Sequence, residues 1–472
     1  MRDFRFSGWN CAFALVVTLG ASAHLVADEP KVTPTPTPTA EASAQAAPAK
    51  AAPAEPFAFA DFTWASGNYA PPAPVIDTKY FTGEIRTDVN YIYEFTHPKD
   101  HSIDGAAEAG RSQEVQLQQL GLGGDFHWEN VRARFMTQFG GYSEQTPRND
   151  ASPSRGQWDL SNALRYVSEA YGGYHIDKMN GINIDAGIFM SYVGLWSYYN
   201  FDNWTYIPSY VSANTPWFFQ GIRIQIFPSD KLKIEPWIVN GWQSYGMFNE
   251  SPGLGFQLKW TPTGSVIFLS NNYYGEDTMN TPSRKRWHTD NSLLIKYFDR
   301  PAATLDKAAF TLTVDAGCET GGGVSCTGSS SSATPGQNFF GFMLYNRLWF
   351  KKDKLAFTVG GGAFTNPGRY LALVPPINGA TAATGTPYFT QRPGDPYKGF
   401  DFSFGFDYMP NRFITFRAEY VHRGTNVPYF VGSGGMTPDG GNTGNPTAIV
   451  PGFTPDLRKY ENRLDFALMT RF

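Results

Sequence analysis

The sequence predicts an all-β chain that closes into one transmembrane antiparallel β-barrel of about 16 strands, with short periplasmic turns and long external loops. Three observations lead there: the composition, a period-two alternation of side-chain character, and connections that alternate between short and long. Of 472 residues, 16% are aromatic and 17% charged, well below the roughly 25% charged of an average soluble domain. Yet the mean hydropathy is -0.34, too polar for a bundle of membrane helices. A wall with one face in lipid and the other in water has this mixture. No internal stretch approaches the roughly 20 apolar residues of a spanning helix. Insertion must therefore be as a closed barrel, because lipid leaves no partner for a free backbone group.

At the N-terminus, Arg2 and Arg5 precede an apolar run, Cys11–Leu19, and small residues follow at Ala21–Ala23 and at Ala27. Basic start, short apolar core and small residues form the pattern of a secretory signal peptide over residues 1–27, cleaved after Ala27 or Ala23. The chain is then exported to the outer membrane of a Gram-negative-type cell. Its loss removes Arg2, Arg5 and Asp3, leaving 38 − 2 = 36 basic and 42 − 1 = 41 acidic residues, a net charge of -5. Nothing in that balance suits a nucleic-acid partner. Residues 28–56 are dominated by Pro, Ala and Thr and read as a disordered periplasmic linker. Residues 57–79 (FAFADFTWASGN and onward) are aromatic and should be ordered, but their pattern does not say where they sit.

From residue 80 to 472 the chain reads as barrel. In Thr82–Phe95, Ile85, Val89, Tyr91 and Tyr93 share one face and Glu84, Arg86, Asp88 and Asn90 the other, as strand geometry requires of successive side chains. In Phe400–Tyr408, four phenylalanines and a tyrosine alternate with Asp401, Ser403, Gly405 and Asp407. The aromatic stripe is expected to face lipid. Sixteen such segments are expected at 82–95, 113–126, 130–140, 163–176, 181–192, 216–227, 230–241, 254–261, 264–274, 290–299, 308–316, 338–351, 354–365, 398–409, 412–423 and 462–472. Between them, short connections such as Trp128-Glu129-Asn130 and Pro410-Asn411 alternate with long ones such as 193–215 and 424–461. That asymmetry belongs to outer-membrane barrels. The last strand ends on Phe472, a C-terminal aromatic of the kind that outer-membrane assembly machinery reads.

Cys318 and Cys326 lie in a Gly/Ser-rich loop. In an exported chain such a pair reads as a loop-stapling disulfide, with two free thiols as the alternative. Inward-facing positions would line a pore: Arg86, Arg132, Arg134, Arg223, Lys233 and Arg417 among the bases, Glu169, Glu235 and Glu419 among the acids. The two signs balance, whereas a ring of one sign would impose ion selectivity. The third long loop, 193–215, carries Trp196, Tyr198, Tyr199, Phe201, Trp204 and Tyr206. It should pack rather than sit in water, either into the lumen as a constriction or on the rim or a neighbouring subunit. Inside, Asp202, Asn203 and Trp204 are expected to meet Arg132, Arg134 and Arg223.

Five segments, RYVSEAYGGYHI (165–176), NIDAGIFMSYVG (183–194), YNFDNWTY (199–206), GIRIQIFPSDKLKIEPWIVNGWQ (221–243) and NNYYGED (271–277), resemble the OmpL-like β-barrel porin family, porin-2. Ile188 stands where that pattern often has Lys, which removes one lumen charge. The resemblance covers most of 80–472. It implies an outer-membrane barrel and, in general terms, transport. A 16-strand barrel is wide enough for water, where eight strands are filled by side chains. The expected function is therefore a water-filled channel for passive diffusion of small hydrophilic solutes, assembled by fold-level analogy as a homotrimer. The alternative is a structural or adhesive barrel with a closed lumen.

No enzyme, cofactor or metal site is expected. The seven histidines lie in no nucleophile motif. His97 and His101 share a loop but lack the further ligands a metal needs. Residues 28–79 are too few for the folded plug of a 22-strand transporter.

Overall fold

The computed structural model describes residues 55–67, 74–103, 105–106, 108–146, 150, 156–328, 336–368, 370, 397–439 and 451–472. The expected signal peptide, and the linker except Glu55 and Pro56, lie outside the described residues.

Sixteen strands make the wall: β1 (Phe81–Glu94), β2 (Val115–Trp128), β3 (Val131–Thr137), β4 (Val167–Ile176), β5 (Ile182–Met190), β6 (Phe218–Ser229), β7 (Leu232–Val239), β8 (Gly253–Thr263), β9 (Val266–Gly275), β10 (Lys285–Asp299), β11 (Leu305–Thr320), β12 (Asn338–Phe350), β13 (Leu355–Thr365), β14 (Lys398–Asn411), β15 (Ile414–Thr425) and β16 (Tyr460–Arg471). Each pairs antiparallel with its sequence neighbour, and β16 closes on β1 from Arg463↔Glu94 to Arg471↔Arg86. Phe472 finishes the seam by exchanging backbone hydrogen bonds with Ile85 at 2.9 and 3.1 Å. The ring has no free edge, which is the condition for an all-β wall in lipid.

The expected strands are all present, with shifted ends. β4 begins at Val167 because Leu160–Leu164 form a short helical turn, capped by Asp159, whose carboxylate accepts from the Asn162 N–H at 2.9 Å. β10 and β11 pair as far out as Lys285↔Thr320, beyond the apolar alternation. Backbone pairing does not need lipid, so the ladder continues into the external space.

Side chains sort by face. Phe400, Phe402, Phe404 and Tyr408 are exposed on the outside, while Asp401, Ser403 and Asp407 are buried inside. Near the short turns the outer surface carries Tyr80, Trp128, Tyr174, Trp260, Tyr297, Tyr408 and Phe472. Near the long loops it carries Phe95, Phe139, Tyr166, Tyr274, Trp287, Phe340 and Tyr460. Two aromatic girdles flanking an apolar band mark both interfaces of a membrane. Phe404 sits mid-strand, so Phe404→Arg should cost about 2–4 kcal/mol, as a cation at the bilayer midplane does. Denaturant unfolding in lipid vesicles reads this, and an unchanged midpoint would contradict the lipid-facing assignment.

Candidate functional site: a loop clamped across the lumen

The wide interior is not empty. Between β5 and β6, residues 191–217 fold into the barrel and cross to the opposite wall. Tyr198, Tyr199, Trp204, Tyr206 and Tyr210 are each at most 4% exposed. An aromatic loop finds shelter there that water does not offer.

Polar contacts fix the loop tip. The Asp202 carboxylate takes Arg471 NH1 at 3.1 Å and Arg86 NH2 at 3.1 Å. The Asn203 carbonyl accepts from Arg417 at 2.8 Å and the Trp204 carbonyl from Arg347 at 3.1 Å. Arg417 also forks onto Asp407, Nε to Oδ1 at 2.6 Å and NH2 to Oδ2 at 2.8 Å, and Arg347 shares that carboxylate at 2.7 Å. The Glu419 carboxylate accepts the Tyr206 N–H at 2.5 Å. Asp88 accepts from the Tyr206 hydroxyl at 3.0 Å and the Asn200 amide at 3.1 Å. Further along, Asp401 accepts from Ser209 Oγ at 2.7 Å and from the Tyr210 N–H at 3.1 Å. Burial pushes the hydroxyls of Tyr198, Tyr199, Tyr206 and Tyr210 well above the usual tyrosine range, so they stay protonated and can donate.

This clamp divides the wall. On β12, β14 and β15, Arg347, Asp407, Arg417 and Glu419 face inward but lie beneath the loop; the Arg417 side chain is 2% exposed. On β3, β4, β6 and β7, Arg132, Arg134, Glu169, Arg223 and Lys233 remain partly open, with the Arg132 side chain 32% exposed. Arg134 joins Glu84, Asp125 and Glu169, each at 2.9 Å. Arg132 and Arg223 share Asp185 at 3.2 and 2.9 Å, and Lys233 pairs with Glu235 at 2.7 Å. Along this open sector lie a cavity of about 430 Å³, lined by Glu84, Arg134, Glu169, Tyr199 and Asp202, and one of about 230 Å³, lined by Tyr198, Arg223, Lys233 and Glu235. Both touch Met190 and Ser197.

Two sequence expectations need correction. Arg417 and Glu419 are buried beneath the loop and carry it; Arg417 edges a separate cavity of about 280 Å³ beside Arg347 and Trp204, and Arg86, nearly covered, edges the 430 Å³ cavity. Glu235 faces inward at the 230 Å³ cavity, held by Lys233, Gln225 and Trp237. The loop tip meets Arg86, Arg471, Arg417 and Arg347, not Arg132, Arg134 and Arg223. Nearness in sequence pointed to strands beside the loop, whereas its length carries the tip to the far side of the ring. Asp88, Asp401 and Asp407 are legible in sequence as inward residues, but their role as anchors is not.

Cys318, near the end of β11, is bonded to Cys326, eight residues on, with Cα atoms 5.1 Å apart. The Cys326 carbonyl accepts from the Asn338 amide at 2.6 Å, tying the staple to the start of β12. Thiol labelling of the oxidised protein should find neither residue reactive, and labelling of both would refute the bond. Among the described residues no three His, Cys, Asp or Glu gather as metal ligands. His97 faces the Tyr93 hydroxyl at 2.9 Å and His101 the Ser112 carbonyl at 2.8 Å.

The family model described as "Putative beta-barrel porin-2, OmpL-like" matches residues 82–450. The chain belongs to this porin-2 family. The match runs from β1 through β15 and includes the clamped loop, and it places this porin-2 barrel in the outer membrane. No curated protein matches its sequence. Among solved structures, the outer-membrane channel DcaP of Acinetobacter baumannii is 13% identical with a TM-score of 0.47, over 85% of this chain and 100% of that one. OprB of Pseudomonas putida is 9% identical with a TM-score of 0.47, over 84% and 94%. An anion-selective porin from Comamonas acidovorans is 8% identical with a TM-score of 0.45, over 83% and 99%.

Proposed function

We propose that this porin passes small hydrophilic solutes by diffusion along the open sector, between the clamped loop and the wall of β3–β7. The observation that carries the reading is the uneven clamp: the contacts of the loop tip, Asp202–Tyr206, fall on β12, β15, β16 and β1, and Tyr199 reaches Glu169 at 2.8 Å, while Arg132, Arg223 and Lys233 pair only with wall acids and stay partly open. Bases and acids alternate along that sector, so neither ion sign gains a continuous low-energy track. The prediction is a low but steady ohmic conductance in planar bilayers, with a reversal potential near zero in a KCl gradient. A strongly displaced reversal potential would overturn the weak selectivity. A second reading, a closed structural barrel, is favoured by the thoroughly buried loop. Absence of conductance from correctly folded protein would select it. Insertion through the last strand and its terminal Phe472, and assembly as a homotrimer, belong to the same proposal; the mass of the detergent-extracted protein tests the trimer.

A further inference from the structure

Residues 55–67 enter the barrel from the end with the short turns. The Phe57 N–H donates to the Asp230 carbonyl at 2.7 Å, in the β6–β7 turn. Trp64 Nε1 donates to the Gly264 carbonyl at 3.2 Å, in the β8–β9 turn. Phe57 and Phe62 sit under the Lys259 ammonium, 5.1 and 4.3 Å from its nitrogen. From there the segment reaches the underside of the clamped loop. Trp204 donates from Nε1 to the Trp64 carbonyl at 3.1 Å, and from its backbone N–H to Ser66 Oγ at 3.3 Å. The Gly67 N–H donates to the Asp202 carbonyl at 3.1 Å. Gly67 has a φ of +67°, and a Cβ there would stand 1.8 Å from the Leu195 carbonyl oxygen, so only glycine allows this approach. Trp64 and Ser66 are wholly buried.

We propose that residues 55–67 are a detachable periplasmic brace that holds the constriction loop in its narrow position, and that their withdrawal loosens the loop tip and widens the pathway. Three observations support a detachable element rather than one more piece of wall. The segment forms no strand ladder with the barrel, so it can leave without opening the ring. Its contacts converge on Asp202–Trp204, the part of the loop that Arg86, Arg347, Arg417 and Arg471 also hold. Residues 68–80 join it covalently to the start of β1. That link keeps a displaced segment at high local concentration, so it can re-dock. The widening depends on the channel reading above; the docking does not.

The test separates the two. In full-length Cys11→Ser/Ser66→Cys protein, a membrane-impermeant maleimide should label residue 66 slowly. Adding Trp64→Ala should raise the labelling rate at least about tenfold, the ratio of a substantially undocked segment. A chain lacking 55–67 should conduct at least twofold better than the full chain, with larger current fluctuations. Rapid labelling of Ser66→Cys without Trp64→Ala overturns the docking. Slow labelling together with equal conductance of full and truncated chains overturns the brace. If neither chain conducts, the channel reading fails, and the labelling still decides whether the segment docks.

Discussion

Deleting residues 196–206 is expected to raise single-channel conductance several-fold, the largest functional change available from one alteration. A 16-strand ring with an unobstructed lumen admits a broad column of water, and here the loop tip and its aromatic side chains occupy that column. The deletion removes Tyr198, Tyr199, Trp204 and Tyr206 together with the Asp202 carboxylate. It also uncovers Arg86, Arg347, Arg417 and Arg471. Those cations keep wall partners: Arg86 and Arg471 have Glu84, and Arg347 and Arg417 have Asp407. With the loop gone they gain water rather than remain buried and unpaired, so the barrel should keep most of its stability. Conductance in planar bilayers, with thermal unfolding as a folding control, checks both halves. Equal conductance from a folded deletion variant would refute the constriction.

Arg417→Ala is expected to produce the largest loss of stability, about 3–5 kcal/mol, because it breaks a buried pair while leaving its acid in place. Asp407 loses both prongs of the Arg417 fork and retains Arg347. The Asn203 and Asn200 carbonyls lose a donor that reached them at 2.8 and 3.3 Å. Arg417→Lys should restore little, since one ammonium cannot fork onto Asp407 and also reach the loop. Urea unfolding in vesicles gives the magnitude. Combining Arg417→Ala with the 196–206 deletion adds a sharper check. Once water reaches Asp407, the substitution should cost much less, so the two changes should be clearly non-additive. Additive costs would mean that the loop does not seal this pair from water.

The barrel is legible in sequence because a membrane wall imposes local rules. Phe400, Phe402 and Phe404 must alternate with Asp401 and Ser403 whatever lies across the lumen, since each residue's environment is set by the parity of its position. Short turns such as Trp128-Glu129-Asn130 and Pro410-Asn411 are equally local, although the structure moves the second to Arg412-Phe413. Strand ends were less clear wherever a separate local rule intervened, as Asp159 does by capping a helical turn before β4. The packing of the loop was half legible: six aromatics require shelter, but their count does not choose the wall that supplies it. Residues 55–67 were the least legible. Phe57, Phe62 and Trp64 show that the segment is ordered, yet nothing in their spacing names Gly264, Lys259 or Trp204 as partners.

The sequence by itself thus determined a barrel of about sixteen strands and the two faces of its wall, which follow from period-two alternation and connection length, while the family and its membrane followed from the resemblance of the five segments. The tertiary structure alone decided that the 191–217 loop crosses to β12–β16, that Arg417 and Glu419 lie buried beneath it and hold it, and that residues 55–67 brace its tip. These pairings join residues 130 to more than 200 positions apart, such as Trp64 with Trp204 and Asn203 with Arg417. They are selected by the diameter of the closed ring and the reach of a long loop, and no short window of sequence carries either quantity.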